Sequence, residues 1–293
     1  MKKTKQYFHS FAVITSVIVL TACSATEIKQ TVGDTYNNVA ATITGSEAPA
    51  WASAPLIAES QCNSFSYKNV ENFLAVYASK ENYSLKGTAN EAGQRAMGTY
   101  MISAALINKA QTCMAEALEL KETITLLEEE KQIILSGTSL SESEITRHRE
   151  ISAEANEAIV SYSQQVDELS PQKSESLVLG ISTFLTGTYT TVRMEDAIAD
   201  YTKKVAESSS NSAKSVKNNN SPTAWLNAIA DVFDTTAGGG ATIANIGSGL
   251  VPHMKKLYST GEYLMEYSRK NNLTLPSNAT EEFMSMGGWG DEE

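Results

Sequence analysis

Apolar and small residues recur at alternating steps of three and four in the first half of the chain, and this spacing constrains the fold more than any other feature. The series runs Ile102, Leu106, Ala110, Cys113, Ala117, Leu120, Ile124, Leu127 and Ile134. Lys131 is its one charged interruption. Such spacing places these side chains on one helical face and is typical of a coiled-coil seam. We therefore predict one long helix that packs against a second along this face.

A second seam follows after a short polar interruption. Gly137-Thr138 breaks the first helix, and Ser141 with Glu144 three residues later forms a capping-box pattern that starts the next. The second series runs His148, Ser152, Ala155, Ile159, Tyr162, Val166 and Leu169. Two seamed helices joined by a few polar residues fold back on each other. The sequence predicts an antiparallel helical hairpin over about 89–169, with polar seam positions near its tip.

Proline and polar residues divide the remainder of the chain. Pro171 precedes a helix predicted over Gln172 to Glu207, and a last helix is predicted over His253 to Lys270. Residues 208–221 are almost wholly serine, asparagine and lysine, and such a composition buries too little apolar surface to order itself. We expect a mobile polar loop there and an acidic flexible tail over 272–293.

Because the chain shows no strand pattern, the predicted fold class is all-α. We predict an elongated helical bundle that contains the long antiparallel coiled-coil hairpin. The helical body is predicted to cover residues 67–271, which is long enough to bury a substantial core.

The glycine-rich segment 237–251 has two interpretations. Three consecutive glycines disfavour a continuous helix by about 1 kcal/mol each relative to alanine. The segment could insert into a membrane, as in helical pore-forming proteins. Alternatively, small residues at four-residue spacing (Gly240, Ala244 and Ser248) could let a neighbouring backbone approach closely inside the body, with Pro252 ending the segment.

The N-terminus carries the parts of an export signal. Lys2, Lys3 and Lys5 precede the apolar stretch 11–20, which is too short to span a bilayer. The stretch closes on the tetrapeptide Leu20-Thr21-Ala22-Cys23. This ending resembles the lipobox of bacterial lipoproteins.

The resemblance implies that residues 1–22 are removed as a lipoprotein signal peptide and that Cys23 becomes the lipidated N-terminus. Ser24 resembles the sorting signal for the outer membrane of Gram-negative bacteria. We therefore expect an outer-membrane, mainly periplasmic protein, with surface exposure as the alternative orientation. Residues 23–66 would hold the lipidated N-terminus, a short amphipathic helix and a tether.

The charge of the chain excludes some partners. The formal net charge is −11, and removing residues 1–22 takes away three lysines and no acids, so the mature charge is −11 − 3 = −14. This balance argues against nucleic acid as a partner and against flat docking on anionic lipid. We expect the lipid on Cys23 to provide the membrane contact.

Cys62 and Cys113 remain after Cys23 is lipidated. An exported pair predicts a disulfide, whereas two separate buried thiols are the alternative. A metal site is less favoured, because the mature chain offers only His148 and His253 beside them. No cofactor is predicted.

The sequence contains no motif that predicts an enzyme. Glu144 and His148 lie one helical turn apart and could bind a metal or move a proton, but beside Arg147 and Arg149 they also fit a salt-bridged surface or a polar seam. We assign no catalytic residue. The predicted function is a lipid-anchored, non-enzymatic helical scaffold or accessory subunit with a protein partner in the envelope. The alternatives are a membrane-active, pore-forming type of protein that uses 237–251, and a carboxylate-dependent envelope hydrolase.

Overall fold

A computed structural model of the chain describes residues 54–72, 74, 89–135, 141–165, 169–208 and 240–287. Every regular element in these ranges is helical, which confirms the all-α class. The helices with defined ends are α1 (Ala54–Glu59), α2 (Ala89–Ala117), α3 (Lys121–Leu135), α4 (Glu142–Ser163), α5 (Pro171–Ser208), α6 (Gly240–Ser248), α7 (Leu250–Lys270) and α8 (Ser277–Met284). The lipobox, the predicted loop beyond Ser208 and residues 288–293 lie outside the described residues.

Helices α2 and α5 form the centre of the molecule and pack antiparallel along most of their lengths. Glycines of α5 mark where the two helices approach most closely. A Cβ on Gly180 would lie 2.9 Å from the carbonyl oxygen of Ala110, and one on Gly187 would lie 3.1 Å from the Cβ of Leu106. The predicted boundaries of α5 agree with the structure within one residue at each end.

The prediction of one continuous helix through Ile134 is wrong, because α2 ends at Ala117 and α3 folds back along it. Glu119 adopts a left-handed conformation, with φ of 60°, and the amide of Leu120 donates to the carbonyl of Ala115 at 2.9 Å. The reversal returns Leu127 to the core, where it is fully buried. The segment predicted as a two-helix hairpin therefore contains three helices, α2, α3 and α4.

The predicted capping box at the start of α4 is present. The Ser141 hydroxyl accepts from the amide of Glu144 at 3.3 Å, and the Glu144 carboxylate accepts from the amide of Ser141 at 2.7 Å. These contacts satisfy two amides that the helix itself leaves unpaired. Farther along α4, Arg147 donates to Glu129 of α3 at 2.8 Å, so that α3 and α4 are paired at their surface.

The described part of the glycine-rich segment lies within the helical body. The side chains of Ile243 and Ile246 on α6 are buried, whereas Ser248 is exposed. The prediction that Pro252 ends the segment is wrong, because the break falls at Gly249 and Pro252 lies in the first turn of α7. Proline is tolerated there because first-turn amides have no helical partner.

The prediction of a flexible tail is wrong for residues 272–287. Helix α8 packs on α5 through the buried side chains of Ala279 and Phe283. The Phe283 ring stacks on Tyr258 of α7 with a centroid separation of 5.1 Å. Burial of this aromatic side chain outweighs the acidic composition that suggested a frayed end.

The buried apolar residues form two main clusters that share α2, α5 and α7. The first contains residues of α1, α2, α5, α6 and the start of α7, including Ile102 and Ile243. The second contains residues of α2, α5, α7 and α8, including Phe184 and Phe283. The central helix pair therefore connects the two halves of the core.

Candidate functional site

A disulfide joins the start of the described chain to the C-terminal part of α2. Cys62 and Cys113 are bonded, with their Cα atoms 5.4 Å apart, and both side chains are buried. This confirms the predicted pairing. Because Cys62 follows α1, the bond holds this part of the chain against the central helix.

Lys109 forms a second attachment one helical turn before Cys113. Its side chain is only 3% exposed, and its ammonium donates a hydrogen bond to the carbonyl of Ser60. Burial lowers the pKa of Lys109 to about 8, because the charged form loses its hydration. The disulfide and this lysine thus fix the same short segment on α2.

A polar cluster is buried where α2, α3 and α4 meet. The amide nitrogen of Asn108 donates to the carbonyl of Leu127 at 2.9 Å and to the Glu130 carboxylate at 2.7 Å. The other Glu130 carboxylate oxygen lies 2.7 Å from Nδ1 of His148. Glu130 is fully buried and His148 is 2% exposed. Each of the three helices therefore contributes one residue to an Asn–Glu–His chain.

The far side of the His148 ring faces α2 and α7. The Tyr100 ring meets it edge-on at a centroid distance of 5.7 Å, and the His253 ring lies 6.0 Å away. These three side chains line a cavity of about 10 Å³ together with Arg149. The cavity is large enough for about one water molecule. The Tyr100 hydroxyl is buried and has no hydrogen-bond partner among the described residues.

The surroundings of this cavity disfavour positive charge on His253. His253 is partly exposed, but loss of hydration in this cavity, followed by the neighbouring His148, Arg149 and Lys256, lowers its pKa well below the ordinary value of 6.5. Burial also raises the pKa of Tyr100, so that its hydroxyl stays neutral at physiological pH. The cavity therefore holds the neutral side chains of Tyr100 and His253 next to the Arg149 guanidinium.

Arg149 connects α4 to the end of α6. Its guanidinium donates to the carbonyls of Asn245 and Ile246, which lie in the last turn of that helix. A cation is stabilised at this end of a helix by the unpaired carbonyls and the helix dipole. Gly249 makes the contact sterically feasible, because a Cβ there would lie 1.9 Å from Nη1 of Arg149. At Gly249 the closest neighbour is thus the Arg149 side chain.

The structure separates the two residues that were considered as a metal or proton-transfer pair. The Glu144 carboxylate caps α4 at Ser141, whereas His148 points into the core and meets Glu130. Within the described ranges, no three histidine, cysteine, aspartate or glutamate side chains lie together in a way that could hold a metal ion. Among the described residues, the cavity beside His148 has a volume of about 10 Å³.

Sequence reasoning did not identify Glu130 or His253 as members of this cluster. A signal was present only for their neighbour His148, which occupies a seam position that faces a partner helix. Ser152 shows the same behaviour, because Gln111 of α2 donates to its carbonyl at 2.8 Å and to Asn156 at 2.8 Å. The seam positions His148 and Ser152 of α4 are therefore buried against polar groups of neighbouring helices, whereas Lys131 pairs with Glu128 of its own helix.

Comparison with known proteins gives no relative, because no protein-family model, curated protein or solved structure matches the chain. Among the described helices, none is both long and apolar enough to cross a membrane.

Proposed function

We propose that the protein is a lipid-anchored bacterial envelope protein whose helical body serves as a non-enzymatic scaffold or accessory subunit. The lipobox resemblance at Cys23 suggests export and attachment. The Cys62–Cys113 disulfide is the observation that carries the proposal, because such bonds persist in oxidising compartments outside the cytosol. Two independent features, a terminal motif and an internal bond, thus favour the same location.

The attachment at Cys62 also limits how far the body can lie from the membrane. The chain from Cys23 to Cys62 spans 62 − 23 = 39 residues. At about 3.4 Å per residue, even a fully extended chain would reach only about 130 Å. The body would therefore remain within the envelope layer next to its anchor and would act on components found there.

The enclosed cluster supports a non-enzymatic role. Glu130 and His148 are groups that catalyse proton transfer in many enzymes, but here they are buried against each other beside a cavity for one water. A membrane-active role would require Ile243 and Ile246 to leave the core before α6 could meet lipid. A scaffold role requires no such rearrangement.

Metabolic labelling with a palmitate analogue in a Gram-negative host tests the anchor. We expect the full-length chain to incorporate the label and to fractionate with the outer membrane. Cys23→Ser should lose both properties. The double variant Cys62→Ser/Cys113→Ser is the matched control and should keep the label. Equal labelling of the Cys23→Ser chain would contradict the proposal.

Crosslinking in intact cells tests the scaffold role. A photo-reactive residue at Glu175 of α5 would sit in a groove of about 670 Å³ beside Cys62, and one at the exposed Glu142 would sit at the start of α4. We expect the lipidated protein to form a discrete adduct with an envelope protein from at least one of these positions. If no adduct formed from either position, or from any other exposed residue in a scan, the result would argue against a stable protein partner.

A further inference from the structure

We propose that His253, together with His148 and Arg149, forms an acid-sensitive latch that holds α6 and α7 against α4 while His253 is neutral and loosens when His253 binds a proton. The inference concerns the opening of the helical body. It does not depend on the lipid anchor or on a partner.

The geometry places the three residues at one interface. Arg149 holds the last turn of α6 through two carbonyls, and His148 on the same turn of α4 faces His253 of α7 at 6.0 Å. Gly249 lies between α6 and α7, directly against the guanidinium. A change in the position of Arg149 would therefore affect α6 and α7 together.

The charges around His253 come from each described element that contacts it. Helix α4 contributes His148 and Arg149, and α7 itself contributes Lys256. Glu130 of α3 lies against His148, with a carboxylate oxygen 2.7 Å from its Nδ1, and accepts a hydrogen bond from Asn108. Helix α2 contributes the neutral Tyr100. Helix α5 lines the cavity with the uncharged Thr191 and Met194, and α6 presents the carbonyls that Arg149 binds.

A proton on His253 would therefore place another cation next to Arg149 without a free carboxylate to balance it. Burial and these neighbours lower the pKa of His253 in the folded protein well below 6.5. Its contribution to stability is complete above pH 6.5, where the unfolded or opened histidine is also neutral. That contribution is lost as the pH falls below 6.5, because the opened state binds a proton that the closed state excludes.

One excluded proton changes the opening equilibrium by up to about tenfold per pH unit below 6.5, until the closed state also protonates. The chain contains three histidines, and His9 belongs to the segment predicted to be removed. His148 and His253 are then the only side chains whose ordinary pKa lies near 6.5. The composition therefore makes an acid response between pH 5 and 7 traceable to this interface.

Opening would expose the apolar face that α6 and the start of α7 now bury. Ile243, Ile246 and Leu250 lie on this face, and each is at most 3% exposed in the closed structure. The latch therefore controls access to a buried apolar surface without any change in covalent structure.

Hydrogen exchange with mass spectrometry tests the latch in the mature chain carrying Cys23→Ser. After correction for the intrinsic exchange rate, the protection of residues 240–270 should fall as the pH is lowered from 7.5 to 5.0. His253→Gln should remove this dependence. Glu282→Gln is the control outside the latch: burial raises the pKa of Glu282, which gives the opposite pH trend, so this variant should keep the acid-induced loss in α6 and α7.

Lys256→Gln provides a test that does not depend on replacing a residue in the core. Lys256 is exposed, so its replacement leaves the packing intact, and it removes one cation that acts on His253. We expect opening to require a lower pH in this variant. The proposal would be overturned if protection of residues 240–270 depended on pH in the same way in the wild type, His253→Gln and Lys256→Gln. Acid-induced opening that begins outside α6 and α7 would also overturn it.

Discussion

Lys109 shows how a single buried charge can lower the stability of this fold. Its ammonium makes a hydrogen bond to the Ser60 carbonyl, yet its surroundings hold its pKa near 8 instead of the ordinary 10.5. At pH 7 the lysine is charged in both the folded and the unfolded chain. The folded state alone loses most of the hydration of that charge, which offsets part of the gain from its hydrogen bond.

Lys109→Met should therefore raise the free energy of unfolding by about 2 kcal/mol at pH 7. Between about pH 8 and 9.5, the free energy of unfolding of the wild type should rise by about 1.4 kcal/mol per pH unit. The reason is that Lys109 keeps its proton in the unfolded chain but releases it in the folded chain. The variant should lack this gain. Denaturant unfolding at pH 7.0, 8.5 and 9.5 measures both effects, and a variant that follows the wild-type pH profile would refute the explanation.

At the scale of elements, the antiparallel contact of α2 and α5 depends on the absence of a side chain at Gly180. A Cβ there would lie 2.5 Å from Cγ of Met114 and 2.9 Å from the Ala110 carbonyl oxygen. Backbone atoms cannot move aside as a flexible side chain can. The separation of the two helices would have to increase.

Gly180→Ala should accordingly lower the stability by about 1–3 kcal/mol, even though alanine favours helix more than glycine does. Gly287→Ala is the matched control, because among the described residues a Cβ there would approach nothing closer than the Met284 carbonyl oxygen at 3.7 Å. We expect that variant to stay within about 0.5 kcal/mol of the wild type. Thermal unfolding followed by circular dichroism compares the two, and equal midpoints would contradict the close-packing argument.

The elements differ in how well their sequence specifies them. Pro171 and a sustained apolar period define α5, so its boundaries could be predicted almost to the residue. The turn between α2 and α3 could not, because Leu120 and Ile124 continue the seam spacing and Glu119 is not a residue that favours positive φ. The partners of Glu130 and His148 depend on the relative register of α3, α4 and α7. No local pattern contains that information.

At the scale of the whole molecule, the two core clusters are connected through shared helices. Helices α2 and α5 each supply buried residues to both clusters, and α7 packs on α5. The disulfide adds a covalent constraint by closing a loop with a sequence separation of 51 residues, which is worth about 4 kcal/mol in the chain-entropy model. If α2 and α5 unfolded in one cluster, buried side chains of the other cluster would therefore also become exposed.

This connection predicts a single cooperative unfolding transition for the mature chain carrying Cys23→Ser. Ile102→Ala removes buried volume from the first cluster, and Phe184→Ala removes it from the second; both side chains are fully buried. We expect losses of about 2–5 and about 3–5 kcal/mol. In guanidinium titrations, both variants should show one transition at a lower midpoint with an unchanged slope. The shared helices couple the two clusters only if they stay folded along their whole length. A second transition, or a shallower slope in only one variant, would therefore show that the two clusters unfold independently.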